Sequence, residues 1–369
     1  MLDALEADRT RVAEIDTQIL CFERCIAALR IQKALAQERL DLYRYPVSTL
    51  PNEIVSEIFT HFLPPYPTFP PLTGIFSPTI LTHICRKWRE IAIATPMLWR
   101  AVEMISDRRG MPTERQAHIS DVWLGRSRCS PISIRISEFD DTDPHFSEIL
   151  ETVVPHRARL ELLELHSLMP SHLSAIEGPM PLLEDLQLTL DDFDPRVKIT
   201  FPEVPMLRMA YLNDHAALTL TLPWAQLTRL TLWCVNPSEC LPILRQTSIL
   251  VSCVLDVAAG EGDDGPWPDI RLPYLKSLVL WDTMEILPVG FLEIFVVPAL
   301  CSLEIGERYL EPNPIDCLTT FISKCGCKLK QVLITNDQLV SETTYREALA
   351  SVPEVSFGGR YRAKIAAKE

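Results

Sequence analysis

Residues 260–265, Gly-Glu-Gly-Asp-Asp-Gly, have the spacing with which a glycine-rich turn brings backbone amides up to a pyrophosphate. That chemistry needs a strand before the turn and a helix after it. Here Asp263 and Asp264 would repel the phosphate, and Pro-Trp-Pro follows the last glycine, so an acidic loop is expected. Cys325-Gly326-Cys327 is half of a metal site, but no second Cys/His pair stands near it, so no metal is expected. The clusters EFDDTD at 138–143 and DDFD at 191–194 lack the glycine and distal glutamate of a calcium loop and suit solvated acidic loops better. There is no P-loop, GxSxG or HExxH, and the 8 histidines are dispersed without a nucleophile–base arrangement. The chain is therefore expected to be neither an enzyme nor the holder of a cofactor.

With chemistry set aside, the elements carry the information. Leu5, Val12, Ile19, Ile26 and Leu40 share one heptad position, interrupted by Lys33. Ile15, Phe22, Leu29 and Ala36 share the position three residues later, interrupted by Asp8. This is the a/d seam of a coiled coil over residues 1–44, which either pairs with another chain or folds back on its own. Next, LPNEIVSEIF at 50–59 starts a helix with a proline at its head and a wide apolar stripe. Six prolines between residues 64 and 78 make a stiff connector or, through their PxxP spacings, a polyproline ligand. Ser77-Pro78 then caps one amphipathic helix over 79–95, whose apolar residues Leu81, Ile84, Cys85, Trp88, Ile91 and Ala92 share a face. A third short helix is expected at 112–125.

From residue 129 the chain repeats. An apolar residue is followed by apolar residues at +3 and +5, starting at Pro131, Leu160, Leu183, Leu207, Leu227, Leu250, Leu275, Leu300 and Leu329. Intervals of 20 to 29 residues are those of leucine-rich repeats, in which each copy adds a short strand to a curved parallel sheet. The asparagine that usually follows the strand is missing from most copies, so an irregular solenoid is expected. The whole chain is expected to be α/β: a long helix, a small all-α domain at 45–103, a helical linker at 104–128, the solenoid at 129–358 and a basic tail at 359–369.

The net charge is −14, and nearly all of it lies beyond residue 105, which makes nucleic acid a poor partner. The acidic N-terminus lacks the basic start of a secretory signal, and no apolar run approaches the ~20 residues a bilayer span needs. No membrane partner is expected, and the location is expected to be intracellular, cytoplasmic or nuclear. The 11 cysteines form no CxxC pair and read as small apolar residues in a reducing compartment. Asp140, Asp141, Asp263 and Asp264 lie between repeat strands, where they either form an acidic rim that attracts basic target segments or keep a leucine-rich chain soluble.

The Leu-Pro-x-Glu-Ile start at 50, the Cys-Arg-x-Trp-Arg core at 85 and the Thr-Pro-x-Leu-Trp close at 95 together resemble the F-box-like domain of fungal F-box proteins. The heptad helix before them and the repeats after them are similar to the same family. The resemblance implies a substrate-recognition subunit of a cullin–RING ubiquitin ligase, with a Skp-type adaptor bound at the F-box and a target protein bound at the repeats. It implies adaptor-binding roles for Leu50, Pro51, Glu53, Ile54, Ile58, Ile84, Cys85, Trp88 and Trp99. Part of the wide helical face, Ile80, Ile84 and Ile91, is then expected to pack inward against Ile54 and Ile58, and the rest to meet the adaptor. The same face could instead dock on the first repeats, and the chain could be a coiled-coil and repeat scaffold with no link to ubiquitin.

Overall fold

The computed structural model describes residues 2–42, 49–105, 111–137, 146–173, 175–194, 196–201, 203–260, 265–283, 286–335 and 339–358. Two units are present, Met1–Ile58 and Phe59–Glu369. Helix α1 (Leu2–Leu42) fills most of the first. Its 41 residues contain neither glycine nor proline, so nothing in the chain interrupts the backbone hydrogen bonds. Every residue from Leu5 to Asp41 is exposed, the heptad seam included. Helix α2 (Asn52–Phe62) follows Pro51, whose carbonyl accepts the Val55 N–H at 3.1 Å.

The amphipathic segment at 79–95 is not one helix. Pro78–Ile80 is a 3₁₀ turn, α3 is Leu81–Ile84, and α4 is Arg86–Ala94. Between α3 and α4, Cys85 is fully extended, with φ −156° and ψ 169°. Both broken ends are satisfied. The Cys85 sulfur accepts the Trp88 N–H at 3.4 Å, and the Arg89 side chain donates to the Thr82 carbonyl at 2.7 Å. The expected cap holds at the start, where Ser77 Oγ accepts the Thr79 N–H at 3.2 Å.

Eleven parallel strands make the main sheet, and their order in space is their order in the chain. They are β1 (Ala101–Ile105), β2 (Ile132–Ser137), β3 (Leu160–Leu168), β4 (Asp185–Leu190), β5 (Met209–Asn213), β6 (Arg229–Val235), β7 (Ser252–Val257), β8 (Ser277–Trp281), β9 (Ser302–Gly306), β10 (Gln331–Thr335) and β11 (Glu354–Phe357). The course is that of an α/β solenoid, with helical or 3₁₀ returns between strands. The sheet begins earlier than the sequence suggested. β1 pairs with β2, and α5 (Thr113–Arg126) is the first return segment of the solenoid, so 104–128 is not a linker.

The +3 and +5 positions of the repeat are cross-strand neighbours throughout. Ile134, Leu163, Leu186, Ala210, Leu230, Cys253, Leu278, Leu303 and Val332 stand opposite one another along one ladder. Ile136, Leu165, Leu188, Leu212, Leu232, Leu255, Leu280, Ile305 and Ile334 make the second. All are buried, and Val102 with Met104 extends both ladders into β1. Pro181, Pro205, Pro273 and Pro298 each stand just before a strand and serve the same turn. In Met180–Leu183, Val204–Leu207, Leu272–Leu275 and Val297–Leu300 the fourth residue's N–H bonds the first residue's carbonyl. Proline holds the second position of each turn, where its fixed φ fits. The first and fourth residues are buried, so the turn aims the chain into each strand.

Candidate functional site

In α2 the stripe divides one residue away from the expectation. Val55 and Phe59 are buried, while Ile54 and Ile58, one turn apart, are 50% and 48% exposed. Ile54 and Ile58 therefore do not pack inward. Glu53 is exposed in the first turn, where its charge suits the helix N-terminus; Pro51 is exposed and Leu50 half-buried.

In the second unit, Ile91 and Ala92 are buried as expected, but Ile84 is 55% exposed, because the break at Cys85 turns it outward. Cys85 itself is exposed and spends its sulfur on the cap. Trp88 is half-buried and meets Phe59 edge-on, with ring centroids 5.0 Å apart. Trp99 is 0% exposed and offers nothing to a partner, which corrects its assignment as a contact residue. Its indole N–H donates to the Ala92 carbonyl at 2.8 Å, its ring meets Trp123 of α5 at 5.5 Å, and the Arg126 guanidinium lies over it at 4.6 Å. Trp99 therefore ties α4 to the first return of the sheet.

Two aromatic residues of the proline-rich insert, Tyr66 and Phe69, are held by arginine side chains, while Pro65, Pro67 and Pro71 are exposed. The Arg100 guanidinium lies 3.4 Å from the Tyr66 ring centre, and Tyr66 O–H donates to Glu161 Oε2 at 2.9 Å while accepting from Ser133 at 2.6 Å. Burial is the main cause that pushes the Tyr66 hydroxyl up to about 12. Phe69 lies under Arg135, 4.6 Å from its guanidinium. Arg135 bridges two neighbouring strands, donating to Glu103 at 2.8 Å and to Glu164. Burial alone would raise the Glu164 carboxyl, but hydrogen bonds and charge from His166 and Arg135 outweigh it and hold the pKa below its ordinary value.

Over β4–β10 the outward positions lie between the two buried ladders. One row runs Gln187, Tyr211, Thr231, Val254, Val279, Glu304 and Leu333, all half-buried. Beside it, Trp233 and Trp281 flank Asp256 on the strand between them, and Trp281 is the direct cross-strand neighbour of Asp256. Asp256 is wholly buried. Its desolvated carboxyl has a raised pKa, even though Thr283 O–H and the Trp233 side chain hydrogen-bond to it. The half-buried rings of Trp233 and Trp281 suit the binding of a basic or aromatic side chain, while Asp256, buried between them, has no surface to offer a partner. In the sequence the acidic clusters are more conspicuous than these residues. Asp140 and Asp141, Asp263 and Asp264, and the tail at 359–369 lie outside the described residues, while Asp191 and Asp192 are exposed. The signal that finds the aromatic row is the repeat itself: positions +4 and +6 must face away from the buried ladders.

Cys325 and Cys327 flank Gly326, which ends the helix Pro314–Cys325 in the left-handed region at φ 62°. Both thiols are buried, and Cys325 S–H donates to the Phe295 carbonyl at 3.2 Å. Among the described residues no three metal-ligating side chains cluster, and no helix is long and apolar enough to cross a membrane. The glycine pattern at 260–265 follows β7; its residues 261–264 lie outside the described ones, and residues 265–269 form no helix. Compared with known proteins, the chain matches no family model and no curated protein.

Proposed function

We propose that the chain is a substrate receptor of a cullin–RING ubiquitin ligase, which binds a Skp-type adaptor through its F-box-like segment and a target protein through leucine-rich repeats. The observation that carries this reading is the exposure of Ile54 and Ile58 within Leu-Pro-x-Glu-Ile-x-x-x-Ile, in a helix that buries Val55 and Phe59. Isoleucines one turn apart on an exposed helix face are the anchors a helical partner would take. Ile84, exposed in the second unit, supports the same reading separately. The target side rests on the solenoid's outward positions, where Tyr211 in one row and Trp233 and Trp281 beside it supply the residue types that dominate binding surfaces.

The test is direct binding of the full chain to purified Skp-type adaptor. Ile54→Asp with Ile58→Asp should remove binding, since buried anchors are each worth ~2 kcal/mol or more, and should leave the chain folded, as circular dichroism would check, because each side chain is only half-buried. No binding by the unaltered chain would overturn the ligase reading in favour of a repeat scaffold without an adaptor. Equal binding before and after the substitution would overturn the placement on α2.

A further inference from the structure

The seam of α1 is uncovered along its whole length, and it contains two misfits, Asp8 at a d position and Lys33 at an a position. In an antiparallel coiled coil each a position of one helix meets a d position of the other. Setting Asp8 opposite Lys33 of a second copy fixes the register completely. Leu5 then meets the second copy's Ala36, Val12 meets Leu29, Ile15 meets Ile26 and Ile19 meets Phe22, and every layer recurs by the two-fold axis. The paired stretch, residues 5–36, is about 47 Å long at ~1.5 Å per residue. Both charged misfits become opposite-charge pairs, and no apolar residue faces a charge.

We infer that α1 is the homodimerisation element of this protein, pairing antiparallel with a second copy in the register Asp8–Lys33. Shifting the register by one heptad keeps as many layers but puts Asp8 against Leu40 and Lys33 against Ile15, each twice. Parallel pairing sets Asp8 against Asp8 and Lys33 against Lys33 inside the seam. The flanking positions favour the parallel arrangement, where Arg11 would meet Asp16. The antiparallel one instead brings Arg9 near Arg30 and Asp16 near Glu23. Those flanks lie at the solvent rim, where charges are screened and long side chains swing apart. Like charges in the seam are desolvated and held together, so the seam decides. Leu20, Ile31 and Leu35 sit on the far side of the helix at b, f and c positions and do not enter this pairing.

The experiment measures the mass of the full chain by light scattering across a dilution series, with circular dichroism to confirm the fold of each variant. The unaltered chain should have the mass of two chains. Asp8→Lys alone places lysine against Lys33, and Lys33→Asp alone places aspartate against Asp8, so each should weaken the dimer at least tenfold. The double variant restores opposite charges and should return the dissociation constant to within about threefold. A parallel dimer would be nearly indifferent to all three changes, since each replaces one like pair by another. A monomeric chain, a mass above two chains, indifference to the single swaps, or failure of the double swap to rescue would each overturn the inference.

Discussion

Replacing Trp99 by alanine should loosen the junction between α4 and the sheet by about 4 kcal/mol. A buried tryptophan removes ~150–250 Å² from water, worth roughly 4–6 kcal/mol at ~25 cal/mol per Å², of which alanine keeps a small part. The edge-on contact with Trp123 adds ~0.5–1.5 kcal/mol. The lost indole hydrogen bond contributes only ~1 kcal/mol, because the Ala92 carbonyl still accepts the Thr95 N–H at 3.2 Å. Partial collapse onto the gap brings the net into the ~3–5 kcal/mol range typical of such truncations. Repeats open locally, so the measurement is amide hydrogen exchange over 86–94 and 113–126. At ~1.4 kcal/mol per decade, exchange there should quicken by about a thousandfold. Trp99→Phe keeps most of the apolar area and should cost about 1.5 kcal/mol, or roughly tenfold. Exchange in Trp99→Ala within threefold of the unaltered chain would refute the claim that this ring holds the junction.

Two other perturbations test the ends of the sheet. At the far end, Glu307 is buried and accepts Tyr345 O–H at 2.7 Å, Val340 N–H at 3.1 Å and Leu339 N–H, so it pins the last helix and strand. Tyr345→Phe should cost about 2 kcal/mol, and Glu307→Ala, which orphans all three donors, should cost more and expose 339–357 to proteolysis first. At the near end, the pKa of Glu164 is depressed on folding, so its contribution is fully present above the ordinary carboxylate value of 4.5 and is lost as pH falls through the lowered one. Arg135→Met should destabilise the first strands by about 2 kcal/mol at pH 7, discounted for the partial exposure of the pair, and should flatten stability against pH below that value, as read from urea midpoints at pH 3 to 7. An unchanged acid profile in that variant would remove Arg135 as the cause.

The repeat was legible because two constraints coincide in it. Alternation places +3 and +5 on one face, and the return of that unit every 20 to 29 residues stacks successive copies strand on strand; each ladder residue from Ile134 to Ile334 follows from those two facts. The turns at Pro181, Pro205, Pro273 and Pro298 were not legible in the same way, since a proline at such a place can equally end a helix. The helical segment at 79–95 was legible only in outline. A helical wheel fixes the angle of Ile84 relative to Ile91, but it assumes an unbroken helix, and Cys85 breaks it with a weak sulfur cap that no sequence rule anticipates. Trp99 illustrates the same limit. Its type suits both a contact and a core, and only the arrival of Trp123 and Arg126 from a later segment decides between them.

The exposed isoleucines carry the remaining weight. One half-exposed isoleucine is ordinary on a folded surface. Leaving Ile54 and Ile58 half out of water forfeits roughly 1 kcal/mol each relative to full burial. Folding of this chain alone would tolerate lysine or glutamate at both positions, with better helix propensity. Their neighbours Val55 and Phe59 already supply what the fold needs from α2. A residue type that stability does not require, repeated one turn apart and in the middle of an otherwise recognisable motif, is best accounted for by something outside the chain. The proposed adaptor, pressed against α2, would account for the apolar type at these two positions with no further assumption about the rest of the molecule.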